Sequence, residues 1–341
     1  MERCSDVSAL KASRVVVHAP ATSANMGPGF DCLAVAVGLY DEFTFTVLGE
    51  GPSRAVTYDA SGLGQAGAGQ AHRPPQGPAA RSLTVLTRIP SDERNLAVRS
   101  FKAYFAEMGL RPPDVEVTCL SRIPVARGLG SSAAAIVAGI TAAEAMAGQG
   151  VDVQRKLNVA ARIEGHPDNT SACILGGVTV SSMVSSTVLW AKVPLALQLD
   201  AVVAVPDFTL STAVARNVLP GSVLHSDAVF NVGRAALLVA SLASGDCANL
   251  RWATEDRLHQ PYRASLAPGM VTAVRMAIEA GALGSYVSGA GPSIMALVPS
   301  EADAAPVTKA MLAAFVQAKV TATAMRLAAG VPGARVLEVQ G

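Results

Sequence analysis

The residues Pro124, Val125, Ala126, Arg127, Gly128, Leu129, Gly130, Ser131, Ser132, Ala133 and Ala134 carry the clearest chemistry in the chain. The β-branched run from Val115 to Leu120 predicts a strand before them, and the alanine-rich run from about Ser132 to Ala147 predicts a helix after them. Gly128 and Gly130 let the backbone approach a ligand and adopt dihedrals that a Cβ would forbid. Ser131 and Ser132 stand at the helix start, where N–H groups lack internal partners and the dipole favours an anion. Their hydroxyls suit either a helix cap or ligation of a magnesium ion carried by a nucleotide. The small side chains from Ala133 to Ala135 leave room for a phosphate chain. Two other readings compete with phosphate binding. One is an ordinary capped helix after a glycine turn. The other is a dinucleotide fold, because Gly128, Gly130 and Ala133 satisfy G-x-G-x-x-A. That fingerprint needs a second strand and an acidic residue about 20 positions on. Here Gly148-Gln-Gly150 leads into another helical pattern with Asp152 as its cap. A Walker loop is excluded, since no G-x-x-x-x-G-K-[ST] occurs.

Three further segments are dense in turn-forming and polar residues. Pro20-Ala-Thr-Ser-Ala-Asn-Met-Gly-Pro-Gly-Phe-Asp31 precedes the serine loop, while Glu164-Gly-His-Pro-Asp-Asn169 and Ser288-Gly-Ala-Gly-Pro-Ser293 follow it. Each alone has a plain reading, respectively an elaborate loop, an exposed helix-end carboxylate and a tight turn between strands. In this order they resemble the GHMP kinases, the superfamily of galactokinase, homoserine kinase, mevalonate kinase and phosphomevalonate kinase. The Gly-His-Pro-Asp-Asn sequence is similar to the homoserine kinase branch in particular. The resemblance runs from about Val15 to the end of the chain, apart from a Gly/Gln/Pro-rich stretch at about 61–78.

The resemblance implies roles. The loop from Pro124 to Ala134 would wrap the phosphates of ATP, and Asn95 would line the nucleotide site. Mg2+ would be held by Ser131 or Ser132 together with Glu164. Asn25, Asp31, His166, Arg216 and Arg263 would contact an amino-acid substrate, Asp31 at its ammonium and the two arginines at its carboxylate. Arginine suits that task because its planar fork pairs with a carboxylate at two points. Thr212 would place a hydroxyl near the γ-phosphate, and the Gly289 and Gly291 loop would pack beside the phosphate loop. Asn169 stands where mevalonate kinase has an aspartate. An amide cannot serve as a general base, so Asn169 would orient the acceptor hydroxyl while the cation, the loop N–H groups and in-line placement do most of the catalysis. Asp168, its neighbour, is an alternative base. The expected reaction is transfer of the ATP γ-phosphate to L-homoserine, a step toward threonine. Two other classes stay open: a kinase of this superfamily acting on another alcohol such as mevalonate or shikimate, and a nucleotide-binding regulator without turnover.

The elements that must position these groups are mixed without strict β-α alternation, which argues for an α+β protein. At 341 residues, two domains are the default. The resemblance implies 1–197 as a nucleotide-binding domain like the second domain of ribosomal protein S5, and 198–341 as a ferredoxin-like domain, with the site in the cleft between them. Strands are predicted at Val15 to His18, Phe43 to Leu48 and Leu83 to Ile89, with a loop from Ala21 to Phe30. Helices are predicted at Asn95 to Met108, Gln154 to Ile163, Ser222 to Ala243, Pro268 to Ala280 and Ala302 to Val316. The stretch at about 61–78 reads as a flexible surface insertion. Half of the residues are hydrophobic and Lys plus Arg number 27 against 26 for Asp plus Glu, so no global field draws nucleic acid or an anionic membrane. The five cysteines are scattered without metal-ligand spacing, which fits a reducing cytosol and argues against a zinc site. No apolar core of a signal peptide stands between Met1 and Arg14. A homodimer is an expectation from the resemblance.

Overall fold

The structure is a computed structural model that describes residues 10–61 and 84–341. The expected insertion therefore lies outside the described residues beyond Ser61. Two long strands, β1 (Arg14–Asn25) and β2 (Gly29–Val47), form an antiparallel hairpin that runs through the whole first motif. Alternating Val15, Val17, Ala19 and Ala21 on β1 meet Phe45, Phe43 and Val37 on β2, so one face of the hairpin is continuously apolar. This extends the structure beyond the expected strand at Val15 to His18. The segment Ala21 to Asn25 is strand, not loop, because Ala21, Thr22, Ser23 and Ala24 pair with Val37, Ala36, Val35 and Ala34. Only Met26 to Pro28 remain as the turn.

The first sheet has eight strands, with β3 (Arg54–Asp59), β4 (Thr84–Val85), β5 (Val115–Ser121), β6 (Val178–Val184), β7 (Thr187–Val193) and β12 (Arg335–Gln340) joining the hairpin. Of the strand expected from Leu83 to Ile89, the described residues from Thr84 onward hold the two-residue β4. The length of β2 lets its C-terminal half pair with β5 while its N-terminal half pairs with β6. Helices α1 (Leu96–Glu107), α2 (Ser131–Ala147), α3 (Val153–Glu164) and α4 (Asp168–Leu175) build the layer beside it. At Gly139 a Cβ would run into the Ala97 carbonyl, which is how α1 and α2 come so close. Helix α4 is not among the expected helices; Pro167 occupies its N-cap, where a missing N–H costs nothing.

The second sheet has four antiparallel strands in the order β11-β8-β10-β9, namely β8 (Leu199–Pro206), β9 (Gly284–Val287), β10 (Ile294–Pro299) and β11 (Ala322–Ala328). One face packs Val202, Ala204 and Ile294 against Met270, Met311 and Phe315 of α9 (Met270–Glu279) and α10 (Ala305–Gln317). The other face gives Val203, Tyr286 and Met295 to the large core of the first sheet, so a shared apolar interior joins the two halves. Between β8 and β9 in the chain come α5 (Thr212–Asn217), α6 (His225–Ser244), α7 (Leu250–Ala253) and α8 (Gln260–Arg263). Among the described residues α6 alone is long and apolar enough to cross a membrane by length and composition. It lies against the protein with Asn231, Leu238, Ser241 and Leu242 buried, and leaves Val229 and Val232 exposed.

Candidate active site

The strand β5 delivers the chain to Arg122 and Ile123, whose N–H groups both donate to Oδ1 of Asp41, at 2.6 and 2.8 Å. Asp41 thus pins the entrance of the glycine-serine loop to β2. Burial pushes its carboxyl up to about 7, against the downward pull of these donors, Ser121 and Arg122. An unfolded aspartate titrates at about 4. The folded state therefore keeps a proton that the unfolded state has lost, and stability falls as pH rises through the window from about 4 to about 7. Asp41→Asn should flatten that part of a melting-temperature profile; an unchanged slope would assign it to other groups.

Beyond Ile123 the loop turns back at Ala126, Gly128 and Gly130, all with positive φ, and Gly130 is the N-cap of the 17-residue α2. A Cβ on Gly128 would clash with the Ser288 carbonyl, and one on Gly130 with the Thr22 hydroxyl. The open helix end carries no side-chain cap. Its N–H groups face a cavity of about 550 Å³ lined by Val125, Ala126 and the segment 128–132. Four loop residues stand off the cavity wall. Arg127 donates from Nε to the Pro206 carbonyl and from Nη2 to that of Asp207, tying the loop to the end of β8. Ala133 and Ala134 are buried under the helix start, and Pro124 is likewise absent from the lining.

The other expected residues line this same cavity. Asn95 caps α1, its Oδ1 accepting from the Ala97 N–H at 3.0 Å and its Nδ2 donating to the Pro90 carbonyl. Ser132 Oγ donates to Glu164 Oε1 at 2.6 Å across the gap between α2 and the end of α3. Burial raises the Glu164 carboxyl, with Ser132 and His166 holding it down in part. His166 Nδ1 stands 2.6 Å from Asp168 Oδ1. Burial lowers the imidazole, but the bond to Asp168 and the charges of Asp168, Glu164 and Asp31 outweigh it and the net shift is upward. Thr212 opens α5, with Ser211 as its cap.

Asp31 and Arg216 form a two-point ion pair, Nη2 to Oδ1 at 2.6 Å and Nη1 to Oδ2 at 2.9 Å. Arg263 is almost wholly buried. Its Nε donates to the Ala215 carbonyl at 3.1 Å, and its Nη1 reaches the Gly289 carbonyl at 3.1 Å and His259 Nδ1 at 3.0 Å. His259 Nε2 stands 2.8 Å from the Gly27 carbonyl and must donate there, so Nδ1 is left as an acceptor for Arg263. Burial and the nearby Arg263 depress the imidazole although Asp256 raises it, which agrees with a neutral ring. Burial and Arg216 pull the Arg263 guanidinium down to about 10, still well above neutrality. Both guanidinium groups lie against the Phe30 ring, at 5.4 and 5.3 Å from its centroid.

Asn25 lines the cavity with its amide already engaged: Oδ1 accepts from the Asp31 N–H at 3.0 Å and Nδ2 donates to the Gly289 carbonyl at 2.8 Å. Ser288 Oγ donates to the Gly128 carbonyl at 2.6 Å and accepts from Ser23, so the third motif braces the first two. Thr22 Oγ1 donates to Asn169 Oδ1 at 2.8 Å. Thr22, Phe30, Asp41 and His259 are site residues that sequence reasoning did not single out. Phe30 and Thr22 sit inside a quoted motif, and His259 stands four positions before Arg263, one helical turn away. Among the described residues, Asp31, His166 and Asp168 also bring ligand atoms within 4.8 Å of one another. Both Asp31 oxygens are engaged by Arg216, and His166 Nδ1 by Asp168 Oδ1, whereas Ser132 and Glu164 offer two oxygens at the helix start of the phosphate loop, the better pair for a hard cation.

Comparison with known proteins identifies the family. Residues 95–177 match the family model "GHMP kinases N terminal domain" and residues 238–317 match "GHMP kinases C terminal". The chain is 44% identical to a homoserine kinase of Gloeobacter violaceus over 281 residues, covering 82% of this chain and 86% of that one. It is 40% identical to a homoserine kinase of Desulfitobacterium hafniense over 323 residues, covering 95% and 100%. The crystal structure of homoserine kinase from Cytophaga hutchinsonii superposes with a TM-score of 0.80 at 28% identity, covering 96% of this chain and 98% of that one. The four motifs, the two-sheet fold and near full-length identity to these relatives converge: the chain belongs to the GHMP kinases and, within them, to the homoserine kinase family.

Proposed function

We propose that this enzyme transfers the γ-phosphate of ATP to the hydroxyl of L-homoserine, forming O-phospho-L-homoserine on the way to threonine. The observation that carries this reading is one cavity lined by two unlike groups of residues. One is an uncapped helix start and glycine loop suited to phosphates, and the other is Asp31, Arg216 and Arg263, suited to a zwitterion. Mevalonate and shikimate have a carboxylate but no ammonium, and would leave Asp31 without a cationic partner once Arg216 turned to them.

The steps follow from the residues. N–H groups of the loop and of the first turn of α2 hold the phosphate oxygens. An incoming amino acid exchanges partners with the Asp31–Arg216 pair, its carboxylate going to Arg216 and its ammonium to Asp31. The Arg263 guanidinium, held by three acceptors, supplies the second cation, with Nη2 lacking a partner among the described residues. His166, hydrogen-bonded to Asp168, and Thr212 complete the walls around the acceptor and the γ-phosphate. Asn169 orients the acceptor hydroxyl. Ser132 and Glu164 offer hydroxyl and carboxylate oxygens at one end of the phosphate site and fit Mg2+, with Ser131 at the same helix start as the other candidate. When bound, the ion would offset phosphate charge in the transition state.

ADP release with magnesium-ATP, measured for L-homoserine, L-threonine, L-serine, mevalonate and shikimate, tests the reading. Turnover selective for L-homoserine is expected. Selective turnover of another alcohol would keep the kinase and overturn the zwitterion pocket, and ATP binding without turnover would make the protein a regulator. Asn169→Asp should not raise turnover, because positioning and charge stabilisation carry this reaction. A large increase in kcat would show that a missing base limits the enzyme.

We also divide the chain near residue 197, between β7 and β8, with β12 returning to the first sheet. A cytosolic location is supported by Cys32, Cys119, Cys173 and Cys247, all free thiols. For a homodimer, the apolar positions Val229, Val232 and Leu224 exposed around α6 offer a surface. A solution mass of one chain would rule the dimer out.

A further inference from the structure

Asn169 lines the cavity, yet its carbonyl oxygen is turned away from an acceptor. Thr22, wholly buried on β1, donates its hydroxyl proton to Asn169 Oδ1 at 2.8 Å. Thr22 is itself fixed twice. Its N–H donates to the Leu129 carbonyl at 3.1 Å, and its Oγ1 stands so close to Gly130 that no Cβ would fit between them. A threonine hydroxyl has one proton, and Asn169 Oδ1 is the acceptor the structure gives it among the described residues. Turning the amide over would set Nδ2 against Oγ1 and leave that proton without a partner in a buried place, which is the costly case. The Asn169 backbone is held as well, its N–H donating to Asp168 Oδ1 at 2.6 Å.

We propose that Thr22 is a positioning residue that locks the Asn169 amide with Nδ2 toward the acceptor alcohol, so that Asn169 donates a hydrogen bond to the nucleophilic oxygen. The identity of the alcohol rests on the function proposed above; the amide orientation does not. A donor at this place directs one lone pair of the alcohol and leaves the other for in-line attack. It also takes Asn169 out of the path of the proton. As the bond from the alcohol oxygen to the γ-phosphorus forms, the bond to the β–γ bridging oxygen breaks and its electron pair leaves with ADP. The alcohol proton passes to a non-bridging oxygen of the transferred group, and the monoester then loses it to water, its second pKa being about 6. In a loose transition state the nucleophile bond is little formed, so late loss of the proton costs little. Because Thr22 touches Leu129 and Gly130 as well, the same side chain registers the acceptor against the phosphate loop.

Neutron diffraction from crystals of the free, deuterated enzyme tests the orientation directly, since nitrogen, oxygen and deuterium scatter distinctly. A deuteron on Thr22 Oγ1 pointing at Asn169 Oδ1 is expected; an ND2 group facing Thr22 overturns the proposal. Kinetics of Thr22→Val and Thr22→Ser are then measured on whichever alcohol the wild type phosphorylates fastest. Thr22→Val should lower kcat about 30-fold through misplacement of the acceptor, with the KM for ATP within about twofold. Thr22→Ser, which restores the donor, should recover kcat to within about threefold of wild type. Loss of kcat in both variants alike, or in neither, overturns the role. A wild type that prefers mevalonate would sink the homoserine reading alone.

Discussion

Arg263→Met should raise the KM for homoserine roughly 100-fold while destabilising the protein by about 2–4 kcal/mol. The first effect follows from removing one of two cations available to the substrate carboxylate. The second follows from burial: Arg263 is 2% exposed, and its loss leaves the Ala215 and Gly289 carbonyls and His259 Nδ1 short of a donor. Methionine keeps contact with Phe30, so the fold should survive. Arg263→Lys is not a gentle change here, because a single ammonium on a flexible stem cannot reach three acceptors and a substrate at once. It should lie nearer to methionine than to wild type. Initial rates against homoserine concentration, with thermal unfolding of the same samples, separate the two effects. A methionine variant with wild-type KM would remove Arg263 from the substrate pocket.

Glu164→Gln should lower kcat about 100- to 1000-fold and shift the magnesium requirement to higher concentration. Glutamine matches the size of glutamate and its Oε1 can still accept from Ser132, so the geometry of α3 and α2 is kept. Stability should hold or improve, since the change removes a buried carboxylate whose ionisation burial opposes. The useful measurement is turnover across a magnesium titration beside a melting curve. Equal kcat at equal magnesium would place the cation elsewhere, with Asp31 and Asp168 next in line.

The glycine-serine loop was legible because its chemistry is local: Gly128, Gly130, Ser131 and Ser132 are neighbours in sequence, and a strand and an alanine-rich helix flank them. Arg216 and Arg263 were found through the resemblance, and no property of either residue alone marks it. Their real setting, with Phe30 between them and Asp31 already paired to Arg216, depends on β2, α5 and α8 meeting in space. Asp41 and Thr22 escaped notice for the same reason. Asp41 sits in a plain strand sequence and acquires its role from N–H groups 81 and 82 positions away, and Thr22 meets Asn169 across 147. Ala21 to Asn25 was misjudged because turn chemistry at Asn25 to Gly29 outweighs pairing that only the partner strand reveals.

The placement of β12 beside β1 bears on how the enzyme is made. Val15 pairs with Val339 and Arg14 with Glu338, so the strand that begins the described fold waits for a partner 324 positions further along the chain. A ribosome adding about 5–20 residues per second leaves one flank of β1 unpaired for tens of seconds. The nascent first half then carries an open edge, the kind of surface that chaperones cover and that aggregates at high expression. Expressing the two halves as separate polypeptides would make that wait permanent, whereas a shorter delay, as in refolding of the finished chain, lets β12 close the edge from the start.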